Sequence, residues 1–569
     1  MTIETTTDFR VADMPGTQGP APESVTRSAG HLIVAQLERE GVQRVYGVPG
    51  ESYLDVLDGL HDSSIETVIT RHEGGAAFMA LAEGRLTGRA GVAMVTRGPG
   101  AANAFIAVHT AWQDATPMVL FVGLIPVADR GREAFQEFDL TGWFGSTAKH
   151  VTTLDDPSSA ARVVTEAMRI ARSGRPGPVV IGLPEDVIRL SADGSATIEP
   201  TAVAGAEAGA TAVDELVARL LRSERPVIVV GGEGWSADTG QALSDWAEQH
   251  RIPVLSDFRA YDAVPHGGAY VGALGYGRAD QAAALFDEAD LLVFIGTSRT
   301  DVLSDGYRLG HDATTVVVLP GEPTGHSGRL DQQIASDAAN LIDRLPRSLG
   351  VTFDESRLRE AREAHVRFST PSTLVDEART DAGGEEYVDL TEVMAVLREE
   401  LSSDAVITFG AGNHAIWPAR YLPHHAPATL VAPRNGAMGM GVPAAVAASL
   451  VFPGREVLSI AGDGCFLMNG QELATAVGYG GRFVAIVVDN GVYATIREHQ
   501  EAHYPGRPSG THLTNPDFAA LARSYGAYGE TVASTAGFRD AYRRARASRL
   551  PAVLHLRQDP AVRAPSTAV

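Results

Sequence analysis

The feature that most constrains this chain of 569 residues is a series of short, uninterrupted apolar runs separated by longer amphipathic stretches. Gly91–Thr96, Asp290–Gly296 and Phe483–Val488 are examples. A continuous apolar run of this length is typical of a strand buried on both faces of a parallel sheet. The alternation of such runs with helical stretches therefore predicts an α/β fold throughout.

Two polar segments divide the chain into parts of similar size. Thr197–Thr211 is rich in small residues, and Arg357–Glu386 is charged, with a helical start and a Gly- and Pro-containing end. We expect three doubly wound parallel-sheet domains, each near the usual size of about 150 residues. The predicted division is a flexible leader, three domains and a linker before the last of them: 1–25, 26–196, 212–350, 351–386 and 387–560.

Charge and cysteine content narrow the class of protein. The chain has 70 acidic against 47 basic residues, a net charge of −23, which argues against nucleic acid or an anionic membrane as a partner. Cys465 is the only cysteine, so an intrachain disulfide is excluded and a reducing compartment is indicated. Neither a secretory signal nor a membrane-spanning run is apparent. The sequence predicts a cytoplasmic protein.

Two neighbouring strand ends in the third domain carry the strongest functional signal. The run Glu456–Ile460 leads into Gly462-Asp463-Gly464 and a helical stretch, Gln471–Tyr479. The next strand ends at Asp489-Asn490. Mg²⁺ takes about six oxygen ligands and often shares them with phosphate groups. We therefore predict a metal site, with glycines that allow close phosphate approach, at three ligands: the Asp463 carboxylate, the Asn490 amide oxygen and the Val492 carbonyl.

This combination resembles the binding fingerprint of thiamine diphosphate (ThDP), in which Gly-Asp-Gly is followed some two dozen residues later by Asn-Asn. Asp489 stands where the first Asn is usual. Arg71-His72-Glu73 resembles the motif whose glutamate activates the cofactor by a hydrogen bond to N1′ of its aminopyrimidine ring. The resemblance implies this role for Glu73. A glutamate that merely stabilises a helix N-terminus is the alternative.

Further motifs of the pyruvate-oxidase-like ThDP family occur in order along the chain. In that family the main-chain carbonyl at Gly436 accepts from the 4′-amino group and Met438 wedges beneath the cofactor. Two chains also pair, so that Glu73 of one faces Asp463 of the other, which implies at least a homodimer. The resemblance implies these further cofactor contacts: Pro49, Gly98, Asn103, Asn413, His414, Gly462, Gly464, Cys465 and Tyr493.

One stretch resembles acetohydroxyacid (acetolactate) synthase in particular. Phe135-Gln136, followed by Lys149-His150, matches a segment of that enzyme in which the Phe and Gln line the pocket for a second keto acid. The resemblance implies catalytic roles for Phe135, Gln136 and Lys149, with core packing as the alternative for Phe135. Two departures, Leu124 in place of Gln and His499 in place of Trp, leave the acceptor open.

The implied reaction is carboligation. A 2-oxo acid such as pyruvate loses CO₂, and the remaining unit is joined to a second carbonyl compound. The alternatives are a simple decarboxylase or 2-hydroxyacyl lyase, a flavin-dependent oxidase, and a regulatory protein without turnover. FAD is not favoured as a cofactor, because Gly296–Asp301 and Leu319–Glu322 match the flavin-binding motifs poorly.

Overall fold

The computed structural model describes residues 27–565, except 193, 233, 324, 373–379, 381–383 and 385. Its described strands form three parallel sheets of six strands each, with helices between successive strands. The predicted α/β class and the three parallel sheets are thus confirmed. The predicted leader at 1–25 lies outside the described residues.

The first sheet has the strand order β2-β1-β3-β4-β6-β5. Its strands are β1 (Arg44–Gly47), β2 (Glu66–Ile69), β3 (Gly91–Val95), β4 (Met118–Leu124), β5 (His150–Thr153) and β6 (Pro178–Pro184). Its helices are α1 (Ala29–Arg39), α2 (Leu54–His61), α3 (Glu73–Thr87), α4 (Gly98–Asp114), α5 (Leu140–Phe144), α6 (Ala160–Arg172) and α7 (Glu185–Arg189), with 3₁₀ turns at Glu51–Tyr53, Val127–Asp129 and Pro157–Ser159.

The middle sheet has the order β12-β11-β10-β7-β8-β9, which is the strand order of dinucleotide-binding folds. Its strands are β7 (Pro226–Val230), β8 (Val254–Ser256), β9 (Tyr270–Ala273), β10 (Leu291–Ile295), β11 (Thr314–Leu319) and β12 (Gln332–Ala335). Its helices are α8 (Ala210–Leu220), α9 (Ala237–His250), α10 (Asp280–Asp287), α11 (Ala338–Arg344) and α12 (Glu355–Ser369).

The third sheet, β14-β13-β15-β16-β18-β17, repeats the strand order of the first. Its strands are β13 (Val406–Phe409), β14 (Leu430–Val431), β15 (Val457–Gly462), β16 (Val484–Asp489), β17 (Tyr528–Val532) and β18 (Ala552–Arg557). Its helices are α13 (Leu390–Glu400), α14 (Ile416–Tyr421), α15 (Gly441–Val451), α16 (Asp463–Asn469), α17 (Leu473–Tyr479), α18 (Ala494–His503), α19 (Phe518–Ser524) and α20 (Phe538–Ala547), with 3₁₀ turns at Asn413–Ala415 and Gly470–Glu472.

The structure refines two expectations about local structure. The helical start expected in the segment 351–386 is the fifteen-residue helix α12, and its Leu358 and Ala361 are buried in the core of the middle domain, so this part of the segment packs onto that domain. The helical stretch expected at Gln471–Tyr479 is present, as the 3₁₀ turn Gly470–Glu472 and α17, but a helix that was not expected, α16, starts earlier, at Asp463 itself. An aspartate in the first turn favours this early start, because it complements the positive end of the helix dipole.

The first and third domains share one apolar core. Helices α3 and α15 pack against each other, and Phe78, Met79, Ala445 and Ala448 are fully buried between the two sheets. Helices that are apolar on every side are expected only where protein surrounds them. This shared core fixes the relative positions of the two carboxyl edges that carry the predicted site residues.

Buried ion pairs attach the middle domain to the others. Arg434 contacts the buried carboxylate of Asp257 at 2.7 Å, and Arg85 contacts Asp262 at 2.9 Å. Removing one partner of such a pair leaves an uncompensated buried charge, which is costly. No helix in the described part of the chain has the length and apolar character needed to cross a bilayer.

Candidate active site

The carboxyl edge of the third sheet holds a cavity of about 220 Å³. β15 ends at Gly462, directly before Asp463, and β16 ends at Asp489, directly before Asn490. The carboxyl ends of parallel strands lie at one edge, which is where open α/β sheets bind ligands. Eleven of the predicted residues line the cavity: Asn413, His414, Gly436, Met438, Gly462, Asp463, Gly464, Cys465, Asn490, Val492 and Tyr493.

The carboxylate of Asp463 is held in a defined orientation. Its Oδ2 accepts from the Gly491 N–H at 2.9 Å and from the Asn515 amide at 2.7 Å, and its Oδ1 accepts from the Gly464 N–H at 2.8 Å. Oδ1 therefore retains a lone pair for a cation. The Asn490 side-chain oxygen accepts from the Val492 N–H at 3.1 Å and also keeps one lone pair.

Asp489, the departure from the usual Asn, has a side-chain partner of its own. Its carboxylate lies 2.9 Å from Nε2 of His555 on β18 and accepts from Asn515 at 2.7 Å. Burial alone would raise the pKa of Asp489, but the hydrogen bonds from His555 and Asn515 lower it. Burial raises the pKa of Asp463, and the charge of Asp489 adds to this. The extra carboxylate is thus accommodated by His555, while Asn515 joins the two acids.

One residue of the cavity wall leaves an unpaired nitrogen for a ligand, and another must be glycine for the wall to pack. His414 is buried, and its Nε2 has no hydrogen-bond partner among the described residues. Burial, together with the charge of Arg259, lowers the pKa of His414 to about 3, so the ring is neutral. At Gly464 a side chain is excluded, because a Cβ would lie 2.4 Å from the ring of Tyr493. An unpaired buried nitrogen of this kind is typical of a binding site.

The carboxyl edge of the first sheet brings the remaining motif residues together. Pro49 follows β1, Glu73 begins α3 after β2, and Gly98 begins α4 after β3. The Asn103 amide, one turn into α4, donates to Oε2 of Glu73 at 2.8 Å. None of these four residues lines the cavity of the third sheet within the described chain. The two predicted halves of the site therefore do not meet in one chain.

Comparisons with known proteins give the family of the chain. Residues 27–143, 213–345 and 410–556 match the family profiles of the N-terminal TPP binding domain, the central domain and the C-terminal TPP binding domain of thiamine pyrophosphate enzymes. The acetolactate synthase large subunit of Parasynechococcus marenigrum is 32% identical over 534 residues, which cover 91% of this chain and 85% of that protein. The chain belongs to the family of thiamine pyrophosphate enzymes.

Other relatives within the family have related names. A protein of Methanocaldococcus jannaschii, named as a probable acetolactate synthase large subunit, is 32% identical and covers 93% of this chain and 91% of its own length. The acetolactate synthase isozyme 2 large subunit of Escherichia coli is 30% identical, with 88% and 90% covered. The resemblance inferred from the motifs is thus confirmed at the level of the family.

The residues present fit the cofactor that the family uses. The cavity combines the unpartnered Nε2 of His414 with the open lone pair of Asp463. Asn413 fits less well as a donor than the sequence suggested. Its amide already donates to Glu498 at 3.3 Å and to the Arg563 carbonyl at 3.0 Å, so its N–H groups are used within the chain.

The loop with Phe135 and Gln136 lies beside the first sheet's edge. The Gly98 N–H donates to the Gln136 carbonyl at 3.3 Å, and Gln136 adopts a positive φ of 65°. The Phe135 side chain is 76% exposed, so it does not pack into the core, which was the alternative for this residue. A large exposed aromatic ring next to the predicted site is available to contact another molecule.

Lys149 does not face the site. It precedes β5 and therefore lies at the amino edge of the sheet, opposite Glu73. Its Nζ donates to the carbonyls of Ile170, at 2.6 Å, and Ser173, at the end of α6. Burial lowers the pKa of Lys149 to about 8. The structure corrects the expected catalytic role, because this ammonium is bound to helix C-terminal carbonyls, which is where cations are favourable.

Arg299, in the weak flavin-type motif of the middle domain, is likewise used within the protein. Its guanidinium is buried and donates to the carbonyls of Leu309 and Ser327, each at 2.9 Å, and to that of Tyr307. These bonds hold the loop after β10. The expectation that FAD is not favoured stays a prediction.

Sequence reasoning missed Glu472, a fully buried carboxylate that joins the two halves of the chain. Both its oxygens accept from the Arg71 N–H, at 3.1 and 3.2 Å, and one accepts from the Thr475 hydroxyl at 2.6 Å. Arg71 lies two residues before Glu73, the first residue of α3. At Gly75 a Cβ would lie 2.5 Å from Glu472 Oε1, so only glycine permits this approach.

Glu472 therefore acts as a tertiary cap for the helix that carries Glu73. Burial raises its pKa, which the N–H donors and the Thr475 hydroxyl oppose. A negative group at a helix N-terminus complements the helix dipole. The third domain thereby holds the loop on which the predicted activating carboxylate depends.

We expect Glu472→Gln to lower the turnover number while leaving ThDP affinity nearly unchanged. Glutamine removes the charge and one acceptor, which should cost about 1–3 kcal/mol of stability and loosen the Arg71–Glu73 loop. Steady-state kinetics, calorimetric ThDP titration and thermal melting would measure the three effects. Thr475→Val, which removes only the hydroxyl donor, is the matched control. A lower melting temperature with unchanged turnover would assign Glu472 a purely structural role.

Proposed function

We propose that this protein is a ThDP- and Mg²⁺-dependent carboligase of the acetolactate synthase type. It removes CO₂ from a 2-oxo acid such as pyruvate and joins the remaining acyl unit to a second carbonyl compound. The observation that carries the proposal is the cavity at the carboxyl edge of the third sheet, where Asp463, Asn490 and His414 converge. The names of the relatives support this choice of reaction.

Three oxygen atoms would hold the metal: a carboxylate oxygen of Asp463, the side-chain oxygen of Asn490 and the main-chain carbonyl of Val492. One carboxylate and two neutral oxygens leave coordination positions for diphosphate oxygens and water, as Mg²⁺ requires. His414 would donate from its unpaired Nε2 toward an anion, and the N-terminus of α16 adds N–H donors. Met438, which lines the cavity, would support the ring system.

Glu73 would hold and release the proton that activates the cofactor. When bound, ThDP supplies a nucleophilic carbon that adds to the substrate carbonyl and accepts the charge left as CO₂ departs. Asn103 orients Oε2 of Glu73 and leaves Oε1 for the aminopyrimidine nitrogen. Because Glu73 is only partly buried in a single chain, a second chain that covers it would strengthen this hydrogen bond.

A second copy of the chain would complete the site. Glu73 and Asn103 lie outside the cavity lined by Asp463, although all three belong to the same chain. Apolar side chains are exposed on α16, at Leu467 and Met468, and on α4, at Ile106. Exposed apolar groups beside an incomplete site favour a homodimer in which each site takes Glu73 from one chain and Asp463 from the other.

Mixed dimers test this arrangement. Glu73→Gln and Asp463→Asn should each be inactive alone, whereas a mixture that exchanges subunits should regain activity. A mixed dimer contains one site with both native residues and one site with neither, so up to half the native activity per mixed dimer is expected. Mixing each variant with itself is the control. If exchange is shown by mass spectrometry and no activity returns, the two residues act within one chain.

Proton NMR of the purified protein with ThDP, Mg²⁺ and pyruvate tests the reaction itself. Acetolactate, or acetoin from its breakdown, is the expected product. Acetaldehyde without ligation would replace the proposal by the alternative, a decarboxylase or lyase. The two positions that depart from the acetolactate synthase pattern, Leu124 and His499, favour neither reaction. Leu124 packs against Gly182, and His499 is exposed on α18. The identity of the acceptor and the cytoplasmic location stay predictions.

A further inference from the structure

A second cavity, of about 240 Å³, lies where the middle and third domains meet. The edge strand β9, the end of α12, α13 and the segment after α14 enclose it. Among the described residues, none of the ThDP motif residues lines this second cavity, and it shares no lining residue with the cavity at the carboxyl edge of the third sheet. We call it the arginine cavity.

Its lining is strongly basic in a chain that is strongly acidic. The chain has 70 acidic against 47 basic residues, yet no aspartate or glutamate is among the described residues that line this cavity. The cationic and imidazole side chains that line it are Arg278, Arg362, Arg398, Arg420, His266, His365 and His425. Such a local excess of one sign in a partly enclosed space attracts an anion.

Two of the arginines are already neutralised, and two are not. Arg278 pairs with Asp305 and Asp280, and Arg362 pairs with Glu248. For the other two, Arg398 and Arg420, no ion pair occurs within the described chain. Their charges therefore dominate the cavity.

Both guanidinium groups that lack an ion pair have N–H groups that donate no hydrogen bond to the described residues. Among the described residues, Arg398 donates only through Nη1, to the Ser369 and Tyr421 carbonyls at 2.9 and 2.8 Å. Arg420 donates through Nε to the Phe368 carbonyl at 2.7 Å and weakly through Nη1 to Pro565. The main-chain carbonyls fix the orientation of the two guanidinium groups but offset only part of each full positive charge. The remaining N–H groups have the planar geometry that carboxylates and phosphates match.

The aromatic and imidazole rings around the two arginines are compatible with a bound anion. The Arg420 guanidinium lies 4.0 Å from the Phe368 ring centroid and 5.0 Å from that of Tyr421, which limits its motion. Burial and the charge of Arg398 lower the pKa of His365 to about 4, so this ring is neutral. Its Nδ1 is buried without a partner among the described residues. A neutral imidazole adds a donor and no net charge.

We propose that the arginine cavity binds a small oxyanion, a carboxylate or phosphate group, through the free N–H groups of Arg398 and Arg420. The ligand would bridge the middle and third domains. This inference does not depend on the proposed reaction.

Calorimetry and thermal melting of the full-length protein, saturated with ThDP and Mg²⁺ so that the other cavity is filled, test the proposal. Inorganic phosphate, AMP and succinate are the probes. We expect saturable binding of about one molecule per chain and a higher melting temperature. Binding of phosphate and AMP alone would identify a phosphate site, and binding of succinate alone a carboxylate site. The absence of saturable binding by any probe would overturn the proposal.

Variants assign the binding to this cavity. Arg398→Gln and Arg420→Gln should each weaken binding at least tenfold, whereas Arg367→Gln, on α12 but outside the cavity, should not change it. Because both arginines also bond to main-chain carbonyls, Ala419→Glu serves as a variant that keeps them. It adds a carboxylate to the lining and should abolish binding. Unchanged affinity in Ala419→Glu, or in both arginine variants, would place the ligand elsewhere.

Discussion

Replacing Glu73 with glutamine is expected to reduce turnover by at least about 1,000-fold while ThDP still binds. Glutamine keeps the shape of the side chain and can still accept from Asn103, whose amide lies 2.8 Å from Oε2. It cannot take up the proton that activation requires, and general acid–base groups typically contribute 10²–10⁴-fold to a rate. Exchange of the cofactor's C2 proton for deuterium, followed by NMR, would measure activation directly and separate it from later steps.

The matched control for Glu73→Gln is Glu66→Gln. Glu66 is the exposed first residue of β2, at the opposite end of that strand from Glu73, and it pairs with Arg44 at 2.9 Å. The same chemical change there should alter turnover by less than about twofold, because an exposed pair contributes about 1 kcal/mol or less. Native-like deuterium exchange in Glu73→Gln would disprove the role of Glu73, and loss of ThDP binding would show that the glutamine variant disturbs the loop itself.

Replacing Asp463 with asparagine is expected to weaken Mg²⁺-dependent ThDP binding by about 100-fold or more. The carboxylate is the only charged group among the three proposed metal ligands, and a charged ligand lost from a buried site costs about 3 kcal/mol, or two factors of ten. The cofactor-free protein should not lose stability. Burial raises the pKa of Asp463, so its ionised form is already disfavoured in the fold.

Titration calorimetry of ThDP in the presence of Mg²⁺, together with melting of the cofactor-free protein, would test this pair of effects. Asp540→Asn is the control, since Asp540 is exposed on α20 and does not line the cavity. An unchanged ThDP affinity in Asp463→Asn would refute the metal site. A large drop in the melting temperature without cofactor would instead mean that the carboxylate serves the fold, through its bonds to Gly491 and Asn515.

The cofactor cavity was predictable because its parts are local in sequence. Asp463 and Asn490 each follow an apolar run directly, and the carboxyl ends of adjacent parallel strands meet at one edge. The glycines around Asp463 could be interpreted in the same way, since a bound phosphate needs close approach of the main chain. Eleven of the residues named from motifs line one cavity for this reason.

The parts that sequence did not reveal depend on contacts between distant segments. Glu472 lies 401 residues from Arg71, and Asp489 meets His555 66 residues further along the chain. Neither of these two contacts is marked by a local sequence pattern. Asn515, which precedes Pro516, was likewise not singled out by any motif. Lys149 shows the converse: its motif was local, but the strand that follows it turns the ammonium toward the opposite edge of the sheet.

Cys465 has a consequence for following the protein in solution. It is the only thiol of the chain, it is 3% exposed, and its sulfur lies against Gly410, where a Cβ would be only 2.3 Å away. Burial raises its pKa, and the thiolate is the form that reacts with alkylating reagents. Labelling therefore requires this wall of the cavity to open. The native sequence thus contains a single reporter whose reaction rate measures local opening, with no probe introduced and no second cysteine to mask it.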